Sequence, residues 1–331
     1  MADGCSANGG AAPRAAFDSG VAPGVVSCVT LSIVSHGNGE EILLVLEDLA
    51  RQEPHPERIR VLVTMNVPEA PCWVHRQWPF LVTTICNPHP KGYAANHNEA
   101  FRRCETPYFG VMNPDLRVPQ PVVTEICDRL AITRAAMAAP IMTDRAGARA
   151  DNARPLITPL EIAQRFVKRK LGRSYVIRNG DNRYDWVAGM FMMFDRQAFE
   201  TLGGFDPHFY LYCEDFDICA RLRLAGLDFD VYEDLRVVHG ARRRSHRDVR
   251  FFVWHVSSLT RIWTSTTFWH YRRMLRTEPQ RPAESGGALP LYPNGEQHVE
   301  FAGPLHAAAQ TLSAADLPDS APGVGAEHPI S

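Results

Sequence analysis

Glu214, Asp215 and Asp217 place three carboxylates inside four positions of GGFDPHFYLYCEDFDICARLRLAGLDFDVYEDLRVVH, residues 203–239. Like charges at that spacing repel one another. They tolerate burial only where a cation, a proton or a helix N-terminus compensates them. The run DFDICARLRLAG reads as a helix, so one interpretation is that the acids simply cap its start. The other is a site that requires clustered negative charge. Cys213 stands beside Glu214, but an adjacent carboxylate raises a thiol pKa and disfavours a nucleophilic role.

The elements that must position these acids begin with VVSCVTLSIVS, a continuous apolar, β-branched run that fits a buried strand. The helical pattern EEILLVLEDLARQ follows, then the strands RIRVLVTM and FLVTTIC, the helix GYAANHNEAFRRC and the strand YFGVMN. PVVTEICDRLAIT (helix) and AAMAAPIM (strand) complete the alternation. Strands and helices at this spacing predict an α/β fold with right-handed crossovers on a mostly parallel sheet. Ligands of such sheets bind beyond the carboxyl ends of the strands. Ser35, His36, Asn66, Asn87 and Asn113-Pro114-Asp115 fall there and together make a nucleotide-sized rim. A later strand, YDWVAGMFMMFD, carries Gly189, which either lets a ligand or backbone approach closely or marks a bulge.

The chain has 331 residues, a net charge of -2 and 45% hydrophobic residues, enough for a substantial core and against a dedicated nucleic-acid binder. Its eight cysteines form no CxxC pair, which suits a reduced, cytoplasmic protein. There is no run long and apolar enough to span a bilayer and no signal peptide. The expected organisation is a disordered leader (1–28), a catalytic domain (29–245), an amphipathic helical segment (246–277) and a largely disordered tail (278–331). Within the domain, residues 142–182 are polar and basic and read as an excursion with one helix at 160–171. The segment 246–277 mixes aromatic, aliphatic and basic residues at helical intervals. It suits either an anionic membrane surface or packing onto the domain.

LSIVSHGN, NPHPKGYAANHNEAF, YFGVMNPD, WVAGMFMMFDRQAFETLGGFDPHFYLYCEDFDICARLRLAG and VVH occur in an order that resembles the inverting family 2 glycosyltransferases. Within them the chain is most similar to the rhamnosyltransferases of bacterial surface-polysaccharide (O-antigen or cell-wall) assembly. The resemblance runs from about residue 30 to 273 and implies a GT-A fold, a nucleotide-sugar donor and Mg2+ or Mn2+. The family's Asp-any-Asp motif reads Asn113-Pro114-Asp115 here, an amide replacing the first carboxylate. Asp115 is the metal ligand the resemblance implies, with His239 as a second.

The resemblance also implies that Asp215 is the base for the acceptor hydroxyl, with Glu214 and Asp217 as catalytic neighbours. A carboxylate among carboxylates has a raised pKa, which suits a base near neutrality. Ser35, His36, Asn66 and Asn87 are then contacts for base and ribose. Lys91, Gly92, Asn96 and Asn98, on the loop and first helical turn after FLVTTIC, are contacts for diphosphate or sugar, as are Asn113 and Gly189. Helix capping is the plainer reading of Asn96 and Asn98. The reaction so implied transfers L-rhamnose from dTDP-rhamnose to a polyprenyl-diphosphate-linked saccharide at the inner face of the plasma membrane. Another donor sugar (glucosyl, galactosyl or N-acetylhexosaminyl) and a non-catalytic scaffold of the same fold are the alternatives.

Overall fold

The computed structural model describes residues 27–150, 152–156, 158–159, 184–240 and 249–277. Residues 1–26 of the leader, the expected helix at 160–171 and the tail lie outside them.

Eight strands form one sheet: β1 (Val29–Ser35), β2 (Ile59–Met65), β3 (Leu81–Cys86), β4 (Tyr108–Met112), β5 (Leu116–Arg117), β6 (Met137–Thr143), β9 (Phe191–Asp195) and β10 (Phe229–His239). Their order is β3-β2-β1-β4-β9-β6-β10-β5. A small antiparallel pair, β7 (Ala153–Arg154) and β8 (Trp186–Val187), stands apart. The helices are α1 (Gly39–Gln52), α2 (Tyr93–Phe101), α3 (Val123–Thr133), α4 (Arg196–Thr201), α5 (Glu214–Leu224), α6 (Val249–Thr264) and α7 (Thr266–Thr277).

The expected mostly parallel sheet is present, and its strands β1, β2, β4, β6 and β9 are buried on both faces because helices cover both. Successive side chains of one strand enter opposite cores. Met192 and Phe194 of β9 join Phe109, Phe199, Phe205 and Phe216, whereas Phe191 and Met193 face Leu31, Ile33 and Ile126. Two strands run against the rest: β5, antiparallel to β10 at the far edge, and β9, antiparallel to both β4 and β6. Strand β9 therefore starts at the edge where the parallel strands end, and the Asn113 amide donates to the Met190 carbonyl across that edge (2.8 Å).

Two expectations need correction. The single strand expected over 184–195 is two, β8 and β9, separated by a turn at 188–190 that carries Gly189. The segment at 246–277 holds two helices rather than one. Ser265 ends α6, its hydroxyl donating to the Ile262 carbonyl (2.7 Å) and accepting from the Phe268 amide (3.1 Å), which caps the start of α7. One face of this pair packs on the domain through Leu259, Ile262, Phe268 and Tyr271. The Ser258 hydroxyl reaches the Leu211 carbonyl (2.9 Å), and the Tyr271 hydroxyl reaches that of Asp185. The other face leaves Val249 (73%), Phe252 (69%), Val253 (55%) and Val256 (44%) exposed.

Candidate active site

Helix α5 delivers the carboxylates. The two residues before it, Tyr212 and Cys213, both hold left-handed backbone conformations (φ 72° and 70°) that cost roughly 1–3 kcal/mol each in a non-glycine residue. That turn brings Asp215 to the 188–190 loop. Its Oδ2 accepts from the Gly189 amide (2.9 Å) and its Oδ1 from the Phe216 amide (2.8 Å). Burial pushes the Asp215 carboxyl up, while those amides and the Arg154 guanidinium of β7 draw it back down. Glu214 is 5% exposed, and its Oε2 finds no hydrogen-bond partner among the described residues. Burial first, and then the charge of Asp215, raises its carboxyl well above the ordinary range.

Asp217, expected as a catalytic neighbour, is 5% exposed on the same helix. It pairs with Arg221 one turn on (2.7 Å), and Arg221 also donates to the carbonyls of Leu202 and Gly204. Arg221, held by this acid, anchors α5 to the loop at 202–204.

The asparagines expected at the nucleotide are tied largely to one another and to backbone. Asn66 donates to the His36 Nδ1 (3.2 Å) and the Lys91 carbonyl, and accepts from Asn87 and from the Lys91 amide. Asn87 also donates to Asn96 (2.6 Å), which donates to the carbonyls of Lys91 and Gly92. Both amide hydrogens of Asn66, Asn87 and Asn96 are thus engaged, and the network shapes the loop at 87–92. Asn98 clamps Phe205 through both its backbone amide and carbonyl. None of these asparagines caps α2, whose N-cap is Gly92 and which has no side-chain cap. Gly92 is required by a close approach, since a Cβ there would lie 2.5 Å from the Tyr210 carbonyl oxygen. Ser35 is fully buried and accepts from the Asn38 amide (3.0 Å). His36 is exposed at the rim, and the Lys91 ammonium makes no hydrogen bond among the described residues.

Asp115 and His239 do come together. His239 pairs with Leu116 across β10 and β5, and the Gly240 amide donates to the Asp115 carbonyl (2.9 Å). The Asp115 Oδ2 and His239 Nε2 then stand 3.3 Å apart. A carboxylate oxygen and an imidazole nitrogen are both donors that a divalent ion such as Mn2+ accepts, so the chemistry of the pair fits one. Among the described residues no group of three or more His, Cys, Asp or Glu side chains converges on a metal position. A cleft of about 370 Å³ opens beside Asp115, lined also by Glu41, Leu44, Arg117 and Arg145.

Four residues at the site escaped the sequence reading. Tyr93 sends its hydroxyl to the Gly189 carbonyl, and His97 packs edge-on against the Tyr93 ring. Arg154 and His255 of α6 both act electrostatically on Asp215 or feel its charge. Nothing in GYAANHNEAF separates Tyr93 from a core aromatic, and Arg154 lies in the segment read as an excursion.

This architecture is that of a GT-A glycosyltransferase. The sequence pattern of the family described as "Glycosyltransferase like family 2" matches residues 26–277, and the chain belongs to that family. It is 25% identical over 263 residues to the rhamnosyltransferase WbbL of Escherichia coli (strain K12), covering 70% of this chain and 91% of that protein. Among solved structures, GalNAc-T7 with UDP, GalNAc and Mn2+ superposes with a TM-score of 0.52 at 15% identity. The match covers 66% of this chain but only 44% of that one. S. aureus TarS 1-349 with UDP-GlcNAc gives 0.51 at 11% identity, covering 75% of this chain and 70% of that one.

His97 supplies a test of how the site is built. Its Nδ1 bonds the Ser32 hydroxyl (2.8 Å), its Nε2 is buried without a partner among the described residues, and burial lowers its pKa from 6.5 to about 3. The unfolded chain protonates this imidazole below pH 6.5 and the folded one does not, so its contribution is complete above 6.5 and lost as pH falls toward 3. The loss is about 1.4 kcal/mol per pH unit in that window. His97→Gln should flatten the fall in urea-unfolding free energy between pH 6.5 and 4.5, and an unchanged slope would refute the assignment.

Proposed function

We propose that the protein transfers L-rhamnose from dTDP-rhamnose, with inversion, onto a polyprenyl-diphosphate-linked saccharide. The observation that carries this reading is Asp215, a shielded carboxylate oriented by two backbone amides across the sheet edge that bears Asp115 and His239. The likeness to a rhamnosyltransferase supports the donor sugar.

Asp215 takes the proton of the acceptor hydroxyl as its oxygen attacks the anomeric carbon opposite the diphosphate. The bond from that carbon to the diphosphate oxygen breaks, and dTDP leaves with the electron pair. A divalent ion held by Asp115 and His239 would neutralise the departing charge. Burial favours the proton on Asp215, and so strengthens it as a base, while its two amides keep the carboxylate aimed.

Asp215→Asn should keep the fold and donor binding but cut acceptor-dependent dTDP release by roughly 10²–10⁴-fold. Turnover near the parent's would remove this residue from the mechanism. Asp115→Ala should weaken dTDP binding, read by thermal shift, chiefly when Mg2+ or Mn2+ is present. Equal binding by the parent with metal or with EDTA would defeat the metal assignment.

The acceptor's lipid places the enzyme at the cytoplasmic membrane face. No helix among the described residues is long and apolar enough to cross a membrane. The α6–α7 pair carries no acidic residue from 249 to 277 but has Arg250, Arg261, Arg272, Arg273 and Arg276. Val249, Phe252, Val253 and Val256 follow the i, i+3, i+4, i+7 spacing of one helix stripe, and all are exposed. Each arginine near an anionic surface adds about 1 kcal/mol. Binding to phosphatidylglycerol vesicles should weaken as salt rises. Replacing Arg272, Arg273 and Arg276 by Gln, or Phe252 and Val253 by Ser, should reduce it while sparing activity on a short soluble acceptor. Undiminished vesicle binding by both variants would refute this placement.

A further inference from the structure

Tyr93 has no step of its own in this mechanism, yet its hydroxyl is bonded to the loop that holds Asp215. It donates to the carbonyl of Gly189, the residue whose amide donates to the Asp215 Oδ2. Gly189 lies in the 188–190 turn and, without a side chain, has more backbone freedom than any other residue type would have there. A carboxylate torsion is itself broad and roughly two-fold, so one amide from its own helix does not fix it. Tyr93 is well placed to supply rigidity. Its backbone amide is bonded to the Tyr210 carbonyl (2.9 Å). Its ring is wedged between those of His97 and Phe205, with centroids at 4.3 and 6.1 Å.

We propose that Tyr93 is the positioning residue for the Asp215 carboxylate: its phenol holds Gly189, and Gly189 holds the oxygen that the Phe216 amide does not. The inference deepens the reading of Asp215 as the base and rests on it for its catalytic meaning, though not for its geometry. The groups that face Asp215 are Glu214 on its own helix, Tyr93 from α2, Arg154 from β7, His255 from α6, and the Cys213 and Cys219 thiols. Against the burial that favours its proton, the Gly189 amide is the strongest of the opposing influences. Loosening Gly189 therefore makes Asp215 harder to ionise.

The test follows the Asp215 side-chain carbon by NMR through a pH titration of [13C]aspartate-labelled full-length protein. Its resonance is assigned by its loss in Asp215→Asn. Tyr93→Phe keeps the ring and removes the donor, and should raise the Asp215 midpoint by about 0.5–1 pH unit. Gly189→Ala should shift it the same way, because a Cβ there would lie 3.3 Å from the Asp215 Cβ and 3.4 Å from the Tyr93 hydroxyl. A midpoint unchanged in Tyr93→Phe overturns the proposal, as does a shift confined to Gly189→Ala.

With dTDP-rhamnose as the probe, the acid limb of the kcat profile for dTDP release should move up with the NMR midpoint while the donor KM stays put. A loss of protein stability alone would not move that limb. If the midpoint shifts but the parent releases no dTDP, the positioning role stands and the rhamnosyl reading falls. If Asp215→Asn is inactive and the Tyr93→Phe midpoint is unchanged, the base stands and the positioning role falls.

Discussion

Strand β9 runs antiparallel between β4 and β6, so the chain enters it at the edge where the parallel strands leave the sheet. The turn at 188–190 is thereby fixed beside the end of β4, through the bond from the Asn113 amide to the Met190 carbonyl. In an all-parallel arrangement that turn would lie at the opposite edge. Gly189 could not then reach Asp215, and the carboxylate would lose one of its two amides. The strand's direction also brings Asn113 and Asp115 to the edge that Gly189 occupies. The short antiparallel β5 sets Asp115 against His239.

With that frame in place, the electrostatics of α5 follow from desolvation. Glu214 and Asp215 both have raised proton affinities, with burial as the leading cause in each case. The helix N-terminus and nearby amides stabilise negative charge there, but they are shared between adjacent acids. Burial raises Asp217 as well, and its pairing with Arg221, itself held by two carbonyls, only partly draws it back down. The left-handed pair at Tyr212 and Cys213 costs backbone energy just before the acids. Packing of α6 on that loop, through Ser258 to Leu211 and through the Tyr210–Trp254 and Tyr212–His255 ring contacts, helps hold it. The helix that faces outward with Phe252 and Val253 thus also braces the turn that aims Asp215.

The asparagines show a similar division of labour. Asn66, Asn87 and Asn96 satisfy one another and the backbone of residues 91–92, and Asn98 clamps Phe205. Such a network makes the loop rigid before any ligand arrives, which lowers the ordering cost of binding. Lys91 is carried by that loop, and His36 is bonded to it through Asn66.

Much of this was legible in the chain. The apolar β-branched runs and their alternation with helical periods determined the mostly parallel sheet, because strands buried on both faces need apolar residues at every position. The acid cluster at 214–217 stood out because clustered carboxylates are costly to bury unless something compensates them, whereas Asp115 and His239 were singled out as metal ligands only through the family resemblance. Other features depended on partners far away in sequence. The direction of β9 is decided by its neighbours rather than by its own composition, and FMMFD reads the same either way. Whether an asparagine meets a ligand or another asparagine depends on which loops lie side by side, as Asn66 and Asn87 do, 21 residues apart. Tyr93 and Gly189 are 96 residues apart, and no local pattern reports a hydrogen bond across that distance. Residue types and periodicity are local quantities and so set the elements and the inventory of reactive groups. The aim of those groups belongs to the tertiary structure, because each donor comes from a different element.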